Sequence, residues 1–269
     1  MSTSDVSVNY SQTGSELIEK IYSDDYLSIG GRTSTASLAA EAGITASTHV
    51  LDVGSGLGGP ALHLAESKGC RVTGLDIVAS NIRTANERAE ARALDHRVDF
   101  QLGDAMAMPF EDGQFDVILG QDAWCHVPDK DKLIAECVRV MTPGGIIAFT
   151  DWLQVGEMDS TYLADVLSAM ASPNLATLTG YGAMLEQHGF SIMKQEDISA
   201  AFIDQYNVIY ARLENLKDEI SETFSAKVYG IILGKNNSIR RAFADGKMGG
   251  GRIIAKLNGR GGHGRKTQL

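Results

Sequence analysis

From Thr48 onward the chain alternates short apolar runs with stretches of helical spacing. His49–Val53, Val72–Ile77, Val98–Leu102, Phe115–Gly120 and Ile146–Asp151 are rich in Val, Ile, Leu and Phe, the composition of strands buried on both faces. Between several of them, Ser80–Ala93 and Lys130–Met141 carry apolar residues at helical spacing. The rhythm predicts βαβ units, hence an α/β fold with a doubly wound, mostly parallel sheet covered by helices on each side. After Asp151 it changes. Met158–Met170 and Gly180–His188 read as helices, Gly189 as a stop and Ser191–Ile198 as a sixth strand. Phe202, Tyr206, Ile209, Tyr210, Leu213, Leu216 and Ile220 then predict one amphipathic helix of about five turns, and Arg252–Leu257 a last strand. Upstream, Leu17, Ile18, Ile21 and Tyr22 form a short apolar face that Ser28-Ile29-Gly30-Gly31 ends.

The polar residues that end these strands carry the chemistry. Asp52 precedes the turn Gly54-Ser55-Gly56-Leu57-Gly58-Gly59, and Asp76 ends the second run. Gly103-Asp104-Ala105 follows the third run, and Gln121-Asp122 ends the fourth. In a parallel sheet these positions share the crevice at the carboxyl ends of the strands, where glycines admit a ligand to the backbone and an acid can hold a ribose diol. The pattern predicts a nucleoside cofactor. Asp52 argues against a dinucleotide, because a carboxylate beside a pyrophosphate at a helix N-terminus is unfavourable. It suits S-adenosylmethionine (AdoMet), which carries a sulfonium and an amino-acid end and no phosphate.

Val50-Leu51-Asp52-Val53-Gly54-Ser55-Gly56-Leu57-Gly58-Gly59 also resembles the first motif of the class I AdoMet-dependent methyltransferases. The resemblance implies a Rossmann-like fold of seven strands with a helical cap. It places Asp52 and Gly54 by the methionine part, Asp76 on the ribose, Ile77 against adenine and Asp104 at the adenine amino group, with Gly56 and Ala105 also among the cofactor-binding residues. Ser28 and Gln121 join the cofactor set. It further implies one domain, with residues 1–47 as an N-terminal lid and 48–151 as the cofactor-binding core. Residues 152–248 would be a helical cap that includes strand six, and 249–269 a last strand with a basic tail.

Gln121 through Lys130, followed by Glu136 to Gly145 and Thr150-Asp151, is similar to the sarcosine/dimethylglycine methyltransferases. Tyr10 through Gly31 is similar to the phosphoethanolamine methyltransferases, in which a tyrosine and a histidine close over the acceptor amine. By position these are Tyr10 and His126, with Asp122 as a polar neighbour. The basic residues and tyrosines that hold phosphate in those enzymes have no match around Asn174–Thr179, although Tyr181 is near. The resemblance thus points to a small amine or amino acid, with sarcosine or dimethylglycine giving betaine as the narrowest form. An acceptor nitrogen must present a lone pair, so a base at His126 has a task. Methylated ammonium groups bind on aromatic faces, which makes Tyr22, Trp124, Trp152, Tyr181 and Tyr206 candidates, although Tyr206 and Tyr210 also fit a core role. Two alternatives stay open: methyl transfer to a thioether or thiol such as methionine, and a non-catalytic AdoMet-binding module.

Composition narrows this little further. The 269 residues can bury one substantial core, and the net charge of -10 argues against a general nucleic-acid binder. Three cysteines without a CxxC pair suit a reducing, cytoplasmic setting. No run approaches the roughly 18 apolar residues of a membrane span, and the remaining histidines lack metal-ligand spacing, so no metal is expected. Arg240, Arg241, Lys247 and Arg252 flank Gly249-Gly250-Gly251 and read either as solvated charge or as a carboxylate site. The assembly state stays open.

Overall fold

The computed structural model describes residues 12–259 apart from Asp24; Tyr10 lies outside them. The sheet has seven strands: β1 (His49–Val53), β2 (Arg71–Asp76), β3 (Val98–Leu102), β4 (Phe115–Gln121), β5 (Met141–Gln154), β6 (Phe190–Asp197) and β7 (Met248–Leu257). Their order is β3-β2-β1-β4-β5-β7-β6. The first five run parallel, and β7 inserts antiparallel between β5 and β6. The strand order reverses between β1 and β4, so a crevice opens at the carboxyl ends of these strands.

One face of the sheet is covered by α2 (Gly31–Glu41), α3 (Gly59–Lys68) and α4 (Ala79–Ala91), through Leu38, Leu62, Leu64 and Ala85. The other is covered by α5 (Lys130–Val140) and α7 (Leu178–Gln187), through Leu133, Ile134, Tyr181 and Leu185. A third apolar cluster joins α1 (Gln12–Ile21), α6 (Ser160–Met170), α8 (Ser199–Asn215), α9 (Lys217–Thr223) and α10 (Ala226–Ala244). It includes Ile29, Cys125 and Trp152, and so lies toward the ends of β4 and β5.

Three expectations need adjustment. The residues from 202 to 220 form two helices, because Leu216 ends α8 and starts α9. Segment 1–47 is not all lid, since α2 packs on the sheet; likewise α7 and β6 belong to the sheet and not to the cap. Gly249–Gly251 lie inside β7. A Cβ at Gly250 would stand 2.4 Å from the Phe202 ring, so glycine there lets α8 lie against the strand.

Candidate active site

The crevice is an open cleft with about 1140 Å³ of free space, solvent at its mouth included. Gly54, Gly56, Asp76, Ile77, Asp104, Ala105, Gln121, Asp122, Trp124, His126 and Ser28 all line it.

At the end formed by β1, β2 and β3 the backbone sets the shape of the cleft. Gly54 and Gly56 have φ of 84° and 52°, the left-handed region that side chains avoid. A Cβ on Gly54 would lie 2.4 Å from the Ala123 Cβ. The amides of Gly54 and Ser55 both donate to the Leu75 carbonyl, at 2.8 and 3.0 Å, which ties the turn to β2. Asp76 accepts from Gly56 N (2.8 Å) and Val78 N (2.8 Å), so its carboxylate is aimed by the turns on either side. Burial raises its pKa while these bonds oppose the rise. Asp104 accepts from Met106 N at 2.8 Å, closing the turn after β3.

Asp52 is 1% exposed and sits behind the lining. Neither carboxyl oxygen has a hydrogen-bond partner among the described residues. Burial, reinforced by Asp76, pushes its pKa up to about 7. An orphaned buried acid is costly, and a cation close by would offset that cost. A glycine turn with no room for side chains, an aimed diol-type acceptor and an unpartnered acid together fit a nucleoside that bears a cationic amino-acid tail.

The other end is assembled from distant segments. Asp122 has φ of 57° and is buried. It accepts from Ile29 N (2.7 Å) and Thr150 Oγ1 (2.7 Å). Burial raises its pKa to about 7, against the pull of Thr150. Gln121 clasps the N-terminal segment, accepting from Thr35 Oγ1 (2.7 Å) and donating to Ser28 Oγ (2.8 Å). His126 sits on the short 3₁₀ turn Trp124–His126 with Nδ1 3.2 Å from the Ala171 carbonyl. A carbonyl only accepts, so Nδ1 carries the hydrogen and the lone pair of the neutral ring is on Nε2. Burial, assisted by Lys130, lowers its pKa to about 4.

Behind this turn, Asp151 accepts from Cys125 N (3.0 Å) and Tyr181 Oη (2.6 Å). It is fully buried, and burial raises its pKa to about 6. Asp151 and Thr150 thereby fix the loop that carries His126 and Asp122. Both ended a predicted strand, but only the tertiary contacts reveal their supporting part.

The aromatic candidates separate. Trp124 lines the cleft, yet its indole donates to Val53 O (3.2 Å) and stacks on Phe149 at 4.2 Å. Tyr22 lies near Asp122 and Cys125 but off the lining, and burial with those neighbours raises its pKa. Trp152 and Tyr206 pack with each other and with Phe243 in the cap core, and Tyr181 is locked onto Asp151. All three are buried and none lines the cleft, so the structure places them as core side chains and not as substrate contacts. The basic group is also engaged, with Arg252 on Glu41 (3.0 Å), Arg241 on Asp165 (2.6 Å) and Arg240 over the Tyr210 ring. Lining residues that the sequence did not single out include Leu27, Asn81, Met106, Val127 and Pro173. Among the described residues no cluster of His, Cys, Asp or Glu could hold a metal ion, and no helix is long and apolar enough to cross a membrane.

Residues 51–149 match the model of a methyltransferase domain family. The chain is 33% identical over 178 residues to methyltransferase GfsG of Streptomyces halstedii, covering 65% of this chain and 64% of that one. It is 30% identical over 206 residues to 27-O-demethylrifamycin SV methyltransferase of Amycolatopsis mediterranei, covering 75% of each. Phosphoethanolamine N-methyltransferase 1 of Zea mays is 29% identical over 88% of this chain, which spans only 47% of that protein. Among solved structures, Haemonchus contortus phosphoethanolamine N-methyltransferase 2, in complex with phosphomonomethylethanolamine and S-adenosylhomocysteine, superposes with a TM-score of 0.85 at 25% identity, covering 93% of this chain and 58% of that one. A candidate sarcosine dimethylglycine methyltransferase from Galdieria sulphuraria shares the fold, with a TM-score of 0.78 at 24% identity, covering 84% of this chain and 86% of that one. With these likenesses on a cleft shaped for a nucleoside, the chain belongs to the class I AdoMet-dependent methyltransferases, and S-adenosylmethionine is its cofactor.

Proposed function

We propose that the chain transfers a methyl group from AdoMet to the nitrogen of a small amine held at the corner between His126 and Asp122. The observation that carries this reading is that both side chains line the same cleft as Gly54, Gly56 and Asp76. In this reading Asp76 holds the ribose hydroxyls, Ile77 and Ala105 flank the adenine, and Gly54 with Gly56 admit the amino-acid end. Ser28 and Gln121 complete that wall, and Asp52 supplies negative charge behind it. When bound, the cofactor supplies an electrophilic methyl for in-line displacement.

The residues of the chain then have to present an amine lone pair. An ammonium has none, so its proton must leave before attack. Asp122, raised to about 7, is matched to take that proton near neutral pH. His126, lowered to about 4, stays neutral at that pH. It suits orientation of the amine through a hydrogen bond more than storage of a proton. Much of the rate would come from positioning. The part expected of Tyr10 falls outside the described residues.

Sarcosine and dimethylglycine, giving betaine, are the narrowest form of the proposal. Their carboxylate calls for a cation, and no Lys or Arg is among the described residues that line the cleft. Support is thus better for an amine than for a particular amino acid. The rifamycin relative, named a 27-O-demethylrifamycin SV methyltransferase, favours a hydroxyl acceptor as the second reading. Methyl-labelled AdoMet offered with sarcosine, dimethylglycine, phosphoethanolamine, uncharged amines, methionine and phenols tests all of these. Label in an amine is the expected result. Label only in a hydroxyl or thioether would move the acceptor, and cofactor binding without transfer would favour a binding module.

A further inference from the structure

The N-terminal helix α1 docks on α4 along one line of polar contacts. Ser15 Oγ donates to Asn81 Oδ1 at 2.8 Å. One turn on, Glu19 takes Arg88 Nη2 at 2.9 Å. Beyond the helix, Asp25 takes Arg92 Nη2 at 2.5 Å and stands 3.2 Å from Arg88. Ser15 and Glu19 are four residues apart on α1, and Asn81, Arg88 and Arg92 follow one face of α4 and its end. The upper pair is dry: Ser15 is 1% exposed and Asn81 2%.

Asn81 also lines the cofactor cleft and stands by the Asp76 carboxylate, whose charged form its amide favours. That double contact leaves one orientation for the amide. A carboxylate only accepts, so Nδ2 faces Asp76 and Oδ1 faces Ser15. The hydroxyl of α1 thus sets the direction of a donor on the carboxylate that the cofactor ribose needs. Asp25 repeats the link lower down, since it lines the cleft and receives both arginines.

We propose that Ser15 and Asn81 are positioning residues that make docking of α1 part of the AdoMet site, through Asp76. The inference rests on the AdoMet reading of the cleft. Coupling of this kind is reciprocal: docking of α1 tightens the cofactor, and cofactor holds α1 down. Arg88, which is not a lining residue, then affects cofactor affinity through Glu19 of α1 and through Asp25.

The test uses the full chain and S-adenosylhomocysteine, which requires no knowledge of the acceptor. Calorimetry gives the Kd, and hydrogen exchange of the 12–21 amides gives helix docking with and without ligand. Asn81→Ala is expected to weaken binding about tenfold and to abolish ligand-dependent protection of α1, and Ser15→Ala to weaken it about fivefold. Ser15→Thr restores the hydroxyl and most of the affinity. Arg88→Gln weakens binding about threefold, and added salt reduces wild-type affinity more than that of Arg88→Gln. Wild-type binding with Ser15→Ala within twofold of it would overturn the inference, whatever Asn81→Ala does, because Asn81 would then act without the helix. If Asn81→Ala failed to fold, the Ser15→Ala and Ser15→Thr pair would decide alone. Absence of wild-type binding would instead remove the AdoMet reading itself.

Discussion

The two ends of the cleft are built by different means. At the cofactor end, Asp76 is aimed by the Gly56 and Val78 amides and the glycine turn is tied to Leu75. All of these lie within one strand–turn–helix–strand unit. At the acceptor end, Asp122 is held by Ile29, which is 93 residues away, and His126 by Ala171, 45 residues away. The glycine turn and Asp76 at the cofactor end are therefore a local motif, buttressed from outside by Ser15 of α1 and by Gln121 with Ser28, whereas the acceptor end is a tertiary assembly throughout. Relatives named for a rifamycin and for phosphoethanolamine both match this chain.

The largest expected effect tests the acceptor end alone. His126→Gln removes the orienting imidazole and is expected to lower kcat about 10²-fold or more, with the S-adenosylhomocysteine Kd within threefold of wild type. Single-turnover rates and calorimetry on the same sample check both halves of that statement. Equal losses of affinity and rate would mean that the two ends are not separable.

The cap core provides the next contrast. Trp152→Ala opens a cavity among Phe202, Tyr206 and Phe243 and is expected to cost about 3–5 kcal/mol of stability. Denaturant unfolding measures it, and cofactor affinity should stay unchanged at a temperature where the variant is folded. A selective loss of acceptor turnover would return Trp152 to the site.

Gly54→Ala acts on the cofactor end. The added Cβ meets Ala123 at 2.4 Å and the backbone is in the left-handed region. Binding of S-adenosylhomocysteine is expected to weaken about 100-fold, a little under 3 kcal/mol. Unchanged affinity would show that the turn does not touch the ligand.

The smallest effect is in pH. The pKa of His126 is lowered to about 4 in the folded chain, against about 6.5 unfolded. The unfolded chain binds the proton first, so the stability contributed by the neutral ring is full above about 6.5 and is lost as pH falls through 4. The raised acids run the other way: Asp122, at about 7 when folded, contributes stability below about 4 that is lost as pH rises through 7. Melting temperatures of His126→Gln between pH 6.5 and 4 should therefore fall less steeply than those of wild type.

The same contrast explains what the sequence made legible. The parallel strands were readable from apolar runs buried on both faces, Gly54 and Gly56 from a turn that needs glycine, and Asp76, Ile77 and Asp104 from their places at or just after strand ends. His126 and Asp122 were readable as positions after β4. Ile29, Thr150 and Asp151, which hold that corner, carry no local signal, because their partners are far along the chain. Trp152, Tyr181 and Tyr206 were misplaced for a related reason: aromatic character does not distinguish a cleft wall from a core. Helix α10 escaped notice because Gly230, Gly234, Asn236 and Asn237 interrupt its apolar pattern, while Tyr206 and Tyr210 on α8 donate to those two asparagines at 2.7 Å. Packing supplies what its intrinsic preference lacks.

The central claim is that a nucleoside with a cationic methyl donor lies over the tips of β1, β2 and β3. Calorimetric titration of wild type and Asp76→Ala with S-adenosylhomocysteine, beside NAD, tests it most directly. The expected outcome is saturable heat for wild type, at least about tenfold weaker binding for Asp76→Ala, and no heat with NAD. Tight NAD binding, or equal S-adenosylhomocysteine affinity in the two proteins, would contradict the account.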